Sequence, residues 1–126
     1  MKKILVIEDD KFLKDLLIKQ LEDIGYAIIH VADCKEGLRK AKEEKPDLIL
    51  LDLVLPGLNG FEFLKEIKKD TSESKNIPVL ILSNLGQEDD IKKGIDLGAE
   101  DFLIKAFYII PEIIEKIKKT IDKKRD

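Results

Sequence analysis

The stretch Asp47-Leu-Ile-Leu-Leu-Asp-Leu-Val-Leu-Pro-Gly-Leu-Asn-Gly60 decides the fold of this chain. Residues 48–51 form an unbroken apolar run, and turn-forming Pro and Gly residues follow soon after it. A short apolar run bounded by turn residues is typical of a strand that is buried on both faces of a sheet. Asp52 follows the run directly, so we expect its carboxylate at the rim of the sheet, where α/β proteins place ligands. Our working hypothesis is that Asp52 is a reactive carboxylate.

Length and composition indicate a single folded domain over residues 1–126. The chain is 44% hydrophobic and 39% charged, which is typical of a soluble, helix-rich protein and not of a disordered one. Its net charge of −3 argues against nucleic acid as a direct partner, because phosphate-binding surfaces carry a basic surplus. Cys34 is the only cysteine, which excludes an internal disulfide. The N-terminal apolar run is too short for a signal peptide or membrane span, so we expect a cytoplasmic protein without membrane contact.

Outward from the central stretch, hydrophobic periodicity predicts five strands that alternate with five helices. The predicted strands are residues 3–8, 26–31, 48–51, 78–83 and 101–105, and the predicted helices are residues 10–25, 33–45, 60–69, 87–97 and 111–124. Asp10 and Asp33 are the expected N-caps of the first two helices. Alternation with short loops predicts an α/β fold with a parallel sheet and helices on both faces.

Polar side chains follow four of the predicted strands at their carboxyl ends. They are Glu8, Asp9, Asp52, Ser83 and Lys105. Because parallel strands end at the same edge of a sheet, we expect these side chains to lie close together. Neighbouring carboxylates repel one another, so the group needs a compensating positive charge. Oxygen ligands suit a hard cation such as Mg²⁺ (or Mn²⁺), and Lys105 adds a second positive charge.

A divalent cation, a carboxylate, a hydroxyl and a lysine together indicate a phosphoryl-transfer site. The cation and Lys105 would neutralise the oxygens of the transferring group, and Ser83 would donate a hydrogen bond to one of them. Asp52 would be the nucleophile and would form an aspartyl phosphate. Such a reaction needs no strong general base.

This set of residues resembles the receiver domain of bacterial two-component response regulators. The segments that carry the resemblance are Glu8-Asp9-Asp10, Asp52 with Leu55-Pro56-Gly57 and Gly60, Ser83, and Asp101-Phe-Leu-Ile-Lys105. The resemblance covers the whole chain and implies a doubly wound, flavodoxin-like sheet of five parallel strands in the order 2-1-3-4-5, with five helices. It also implies a signalling module that is not an enzyme beyond its own phosphorylation and dephosphorylation.

The resemblance assigns a role to each residue of the site. Asp52 would be the phosphoacceptor, Lys105 the active-site lysine, Ser83 the switch hydroxyl and Phe102 the switch aromatic. The implied metal ligands are Asp9, Glu8 through a water, Asp52, and the main-chain carbonyl of Val54. Pro56, Gly57 and Gly60 would shape the turn into the third helix.

Two positions depart from the family pattern. Ala106 follows the lysine where the family usually has Pro, often after a cis peptide bond. A cis bond before a non-proline residue costs about 2.5–4 kcal/mol, yet we favour cis over a trans bond with a shifted loop, because Lys105 must reach the phosphate. Asn84 stands where the family usually has Ala or Gly, and we expect its bulk to restrict access to Asp52.

The predicted partners are a histidine kinase or phosphotransfer protein as donor and a downstream protein that binds the fourth helix, fifth strand and fifth helix. We expect no direct contact with nucleic acid, and a monomer or weak dimer. The chain would be a stand-alone receiver or one excised from a longer regulator. The alternatives are a small Mg²⁺-dependent phosphohydrolase that uses Asp52, and a degenerate receiver that binds proteins without phosphorylation, as Asn84 and Ala106 allow. His30 is predicted to be a half-exposed strand residue.

Overall fold

A computed structural model of the protein describes residues 1–55 and 59–125, and the five predicted βα units are confirmed. The strands are β1 (Lys3–Ile7), β2 (Ala27–Val31), β3 (Leu48–Leu51), β4 (Val79–Ser83) and β5 (Asp101–Ile104). The helices are α1 (Lys11–Asp23), α2 (Cys34–Glu44), α3 (Gly60–Lys68), α4 (Glu88–Asp96) and α5 (Ile110–Arg125). All strand pairs are parallel, and the sheet order β2-β1-β3-β4-β5 is the predicted one.

The central strand β3 is buried on both faces, as its unbroken apolar run predicts. Ile49 and Leu51 pack into a core cluster with residues of α2 and α3, and α4 adds the partly buried side chain of Ile91 to it. Leu48 and Leu50 face the other side and pack with residues of α1 and α5. The sheet therefore lies between two layers of helices.

Within the described residues, none of the helices combines the length and apolar character that crossing a membrane requires.

Side-chain caps fix the start of three helices. Asp10 and Asp33 accept hydrogen bonds from main-chain N–H groups of the first turns of α1 and α2, at 3.2 and 2.9 Å, which confirms both predicted caps. Asn59 does the same for α3 at 3.0 Å and was not predicted. These caps satisfy N–H groups that have no partner inside their helices, so each helix begins at a defined residue beside the sheet edge.

The predicted cis bond between Lys105 and Ala106 is wrong, since the described residues contain no cis peptide bond. The chain instead turns through a short 3₁₀ helix at Lys105–Phe107, which the sequence pattern did not predict. The side chain of Lys105 is long enough to reach the buried carboxylates from a trans backbone. Lys105 therefore reaches Glu8 and Asp52 without a cis bond.

The first residue of α3 lies directly against the backbone that follows β3. A Cβ atom on Gly60 would lie 2.6 Å from Cα of Leu53 and 3.1 Å from the carbonyl oxygen of Asp52, so only glycine fits without a shift. The predicted contributions of Pro56 and Gly57 to this turn lie outside the described residues. Gly60 thus brings the start of α3 close to Asp52.

Candidate active site at the carboxyl edge of the sheet

Two buried carboxylates lie side by side where the adjacent strands β1 and β3 end. The main-chain N–H of Asp52 donates to the carbonyl of Ile7 at 3.0 Å, and that of Glu8 donates to the carbonyl of Val31 at 3.2 Å. Glu8 is 3% exposed and Asp52 5% exposed. Carboxylate oxygens of these two residues and of exposed Asp9 all lie within 4.8 Å of one another. The predicted gathering of the three acids is therefore present in the structure.

Lys105 joins the two buried carboxylates from the other side of the site. Its Nζ atom lies 2.8 Å from Oε1 of Glu8 and 3.0 Å from Oδ2 of Asp52. Its side chain is only 15% exposed, so water screens these ion pairs weakly. One ammonium group therefore compensates two buried acids.

The electrostatic environment raises the pKa of both Glu8 and Lys105. Burial raises the pKa of Glu8 above its ordinary value, and the hydrogen bond from Lys105 opposes this without reversing it. Burial by itself would lower the pKa of Lys105, but the hydrogen bonds to Glu8 and Asp52 outweigh burial and raise it. Lys105 consequently stays positively charged at neutral pH.

The donor set fits a hard divalent cation. Glu8, Asp9 and Asp52 offer only carboxylate oxygens, which are the ligands that Mg²⁺ and Mn²⁺ prefer, and exposed Asp9 leaves one side open for the waters that Mg²⁺ retains. The main-chain N–H of Val54 donates to Oδ1 of Asp52 at 3.1 Å, while Val54 as a whole residue is 58% exposed. The ligand role predicted for the carbonyl of Val54 stays a prediction.

Ser83 and Asn84 lie at the end of β4, next to β3. Ser83 is fully buried, and its hydroxyl oxygen accepts a hydrogen bond from the main-chain N–H of Leu85 at 3.3 Å. This bond leaves the hydroxyl hydrogen available for donation. Asn84 is exposed at the start of the loop to α4. The roles predicted for both residues stay predictions.

Phe102 and Ala106 lie along the β5 side of the site. Phe102 is 8% exposed and packs against α4, where a Cβ atom on Gly94 would lie 3.2 Å from its ring. Ala106 is exposed in the 3₁₀ helix, and the next residue, Phe107, is 73% exposed. The predicted switch aromatic thus lies on β5, the strand that leads into Lys105, and contacts the helix that follows Ser83.

His30 makes a contact with the site that the sequence did not predict. It is half-buried on β2, as expected, and its Nε2 atom lies 2.8 Å from the main-chain carbonyl oxygen of Glu8, to which it donates. The contact exists because β2 pairs with β1 in the sheet. The predicted strand order, with a histidine near the end of β2, was the only signal from which it could have been found.

The sequence matches the family model of the response regulator receiver domain over residues 4–118. It is 42% identical over 106 residues to the alkaline phosphatase synthesis transcriptional regulatory protein PhoP of Bacillus subtilis, an alignment that covers 84% of this chain and 43% of that protein. It is 38% identical over 118 residues to the DNA-binding dual master transcriptional regulator RpaA of Synechocystis sp., which covers 94% of this chain and 48% of that protein. The chain therefore spans about half the length of these curated relatives.

Solved structures show the same architecture. The crystal structure of a CheY-like response regulator receiver domain protein from Methanospirillum hungatei superimposes with a TM-score of 0.90 at 26% identity, over 99% of this chain and 97% of that one. The predicted flavodoxin-like fold is confirmed by this likeness and by the strand order.

The predicted partners need correction. The relatives named above are transcriptional regulators, one of them DNA-binding by name, and about half of their length lies outside the aligned region. In proteins of this kind the partner of a receiver domain is often a DNA-binding domain, so the exclusion of nucleic acid is wrong. That exclusion was drawn from net charge, which describes the surface of this domain alone and not that of a linked domain.

Proposed function

This chain belongs to the receiver-domain family of response regulators, and on that premise we propose that Asp52 accepts a phosphoryl group in a Mg²⁺-dependent reaction. The observation that carries the proposal is the buried Asp52 carboxylate, held 3.0 Å from Lys105 and grouped with two further acids. Receiver domains are signalling domains and not classical enzymes. Phosphorylation and dephosphorylation of Asp52 are the only reactions that we propose here.

The transfer uses an oxygen of Asp52 as the nucleophile. The oxygen attacks the phosphorus of a phosphohistidine on a kinase or phosphotransfer protein, or of a small acyl phosphate. A new P–O bond forms on Asp52, the P–N or P–O bond of the donor breaks, and the donor keeps that electron pair. No proton must leave a carboxylate nucleophile, which agrees with the absence of an obvious general base among the site residues.

Neighbouring side chains stabilise the transferring group. Lys105 already contacts Oδ2 of Asp52 and would contact a phosphoryl oxygen after transfer. Glu8, Asp9 and Asp52, with the carbonyl of Val54, would hold Mg²⁺. When bound, the cation supplies positive charge to the phosphoryl oxygens.

Switching would follow from contacts that exist only in the phosphorylated state. The Ser83 hydroxyl would donate to a phosphoryl oxygen and draw the loop before α4 toward Asp52. Because Phe102 packs directly against α4, a change in the loop would alter the packing of that ring. The two states would then differ at α4, β5 and α5, and phosphorylation would shift the population between them.

We propose that the switched surface controls a DNA-binding domain in the same protein. The transcriptional-regulator names of the relatives and the half-length alignments support this output. Residues 1–126 would be the receiver domain, and the reaction would take place in the cytoplasm, where ATP-dependent kinases supply phosphodonors.

The test is intact mass spectrometry after incubation with acetyl phosphate and Mg²⁺. We expect one phosphoryl group per chain, and none when EDTA removes the cation. Release of many phosphate ions per protein from simple phosphate esters would contradict the proposal and favour a phosphohydrolase. Failure to gain mass from acetyl phosphate or a phosphohistidine donor would contradict it and favour a receiver that works without phosphorylation.

A further inference from the structure

We propose that His30 is a positioning residue that aims Asp9 at the cation by fixing the peptide group between Glu8 and Asp9. This inference deepens the proposed function and rests on the Mg²⁺ site proposed there. It starts from the bond between Nε2 of His30 and the main-chain carbonyl of Glu8, at 2.8 Å. Because a carbonyl oxygen can only accept, Nε2 must carry the hydrogen.

The His30 side chain supplies a hydrogen bond to β1 that the main chain of β2 does not supply. The pairing of β1 with β2 ends at Ile7 and Val31, and the N–H of Glu8 still donates to Val31. The next main-chain donors of β2 would come after Val31, but there the chain turns to form the N-cap of α2 at Asp33. His30 therefore donates to the Glu8 carbonyl where a strand N–H would otherwise do so.

The Glu8 carbonyl matters because it belongs to the planar peptide group that leads into Asp9. Fixing its oxygen fixes the orientation of the whole peptide, and with it the N–Cα bond of Asp9, from which the side chain branches. The Glu8 side chain has its own anchors, because Lys105 lies 2.8 Å from Oε1 and the N–H of Asp10 donates to Oε2 at 3.1 Å. Loss of the His30 bond would therefore disturb Glu8 less than Asp9.

Asp9 has no comparable anchor of its own. Its side chain is exposed and, in the part of the chain that the structure describes, takes part in no hydrogen bond or ion pair. The backbone at Asp9 therefore determines where its side chain starts relative to Glu8 and Asp52, whose oxygens lie within 4.8 Å of its own. Groups that orient metal ligands from outside the ligand set commonly change metal affinity by about 10- to 100-fold when they are removed.

The experiment compares His30→Gln with His30→Asn. Gln places its amide nitrogen as many bonds from Cβ as Nε2 of histidine and can still donate, whereas Asn has the same polarity but is one bond shorter. Mg²⁺ affinity is measured by isothermal titration calorimetry, and thermal unfolding is followed by circular dichroism. We expect the affinity of His30→Gln to stay close to that of the parent and that of His30→Asn to fall about tenfold.

A kinetic readout separates positioning from a merely structural role. The rate of phosphorylation by acetyl phosphate is measured against Mg²⁺ concentration. We expect the midpoint for His30→Asn to move to about tenfold higher Mg²⁺ while the plateau rate matches the parent, because a bound cation restores the arrangement. A variant that only loosens the fold would lower the plateau and leave the midpoint in place.

Either of two results would overturn the inference while the proposed function stands. One is equal Mg²⁺ affinity in the parent and His30→Asn, and the other is equal weakening in His30→Asn and His30→Gln. If the parent itself binds no Mg²⁺, the proposed function fails, and this inference fails with it.

Discussion

At the residue scale, the site depends on one lysine between two buried acids. Lys105 contacts both Glu8 and Asp52 within 3.0 Å, and burial makes each carboxylate costly to leave without a partner. Removing one member of a buried ion pair is more destabilising than replacing the whole pair, because the remaining charge stays buried. Lys105 is thus expected to act on stability as well as on phosphoryl transfer.

Lys105→Met should lower the free energy of unfolding by about 3 kcal/mol at pH 7 without Mg²⁺. Since the folded-state pKa of Glu8 is raised above 4.5, its ionisation costs stability as pH rises through that pKa, and loss of Lys105 enlarges this cost. The deficit should therefore be smaller at pH 5 than at pH 7. The raised pKa of Lys105 means that its own stabilisation is fully present below pH 10.5 and is lost above the folded-state pKa.

Urea unfolding at both pH values measures this difference, and Lys116→Met is the matched control. Lys116 pairs with Asp101 at 3.5 Å, but both side chains are more than 40% exposed, so its loss should change stability little. Equal stability of Lys105→Met and the parent at pH 7 would contradict the proposed importance of the buried pair.

Asn84→Ala should speed both phosphorylation of Asp52 and loss of the phosphoryl group. Asn84 is exposed directly after Ser83, and a shorter side chain there would admit water and small phosphodonors more easily. Intact mass spectra recorded over time give both rates. Unchanged rates would show that Asn84 does not restrict access.

At the element scale, the two helices that follow β3 and β4 begin differently. Asn59 caps α3 through a side-chain hydrogen bond, whereas Gln87 at the same position of α4 makes no such bond. Asn59→Ala should therefore cost about 1 kcal/mol of stability, and Gln87→Ala should cost much less. Chemical denaturation of the two variants tests this directly. Equal losses would mean that the Asn59 bond contributes nothing beyond helix propensity.

Helix α4 packs against the sheet at a glycine. Gly94 is its one buried residue, and a Cβ atom there would lie 2.7 Å from Cδ1 of Ile81 and 3.2 Å from the ring of Phe102. Gly94→Ala should destabilise the fold by about 1–3 kcal/mol through overpacking, although alanine is the better helix former. Thermal unfolding measures the loss. An unchanged or raised melting temperature would show that α4 shifts without cost.

A double mutant identifies the atom whose contact with the new Cβ atom makes Gly94→Ala destabilising. Ile81→Val removes Cδ1, the methyl group that the new Cβ would meet first, and by itself should cost about 1 kcal/mol. Combined with Gly94→Ala it should cost less than the sum of the two single changes. Strict additivity would place the strain on Phe102 instead.

At the scale of the whole molecule, the sequence pattern predicted the elements, and the family resemblance predicted their order. The alternating runs located all five strands, and the acids at their ends predicted the cluster around Asp52. The contact from His30 could not be predicted, because it depends on side-chain reach between two strands that only the fold brings together. The trans bond after Lys105 was accessible from the sequence, since a cis bond before a non-proline residue is costly. The Asn59 cap was accessible from the sequence, since Asn is a favoured N-cap.

The prediction that nucleic acid is not a partner was wrong because it used only the net charge of one domain. A value of −3 describes the surface of one domain, while the relatives carry about as much chain again outside the aligned region. A linked domain can contact DNA whatever the net charge of the receiver domain is, so that charge does not indicate whether such contact occurs. The function of such a chain is therefore best tested at Asp52, which lies within it.

The most direct test of the central claim locates the phosphoryl group. After incubation with acetyl phosphate and Mg²⁺, borohydride reduces an aspartyl phosphate to homoserine, and tandem mass spectrometry of the peptides finds the reduced position. We expect homoserine at position 52 in the parent and at no position in Asp52→Asn. Reduction at another acid, or equal phosphate uptake by Asp52→Asn, would contradict the assignment of Asp52 as the phosphoacceptor.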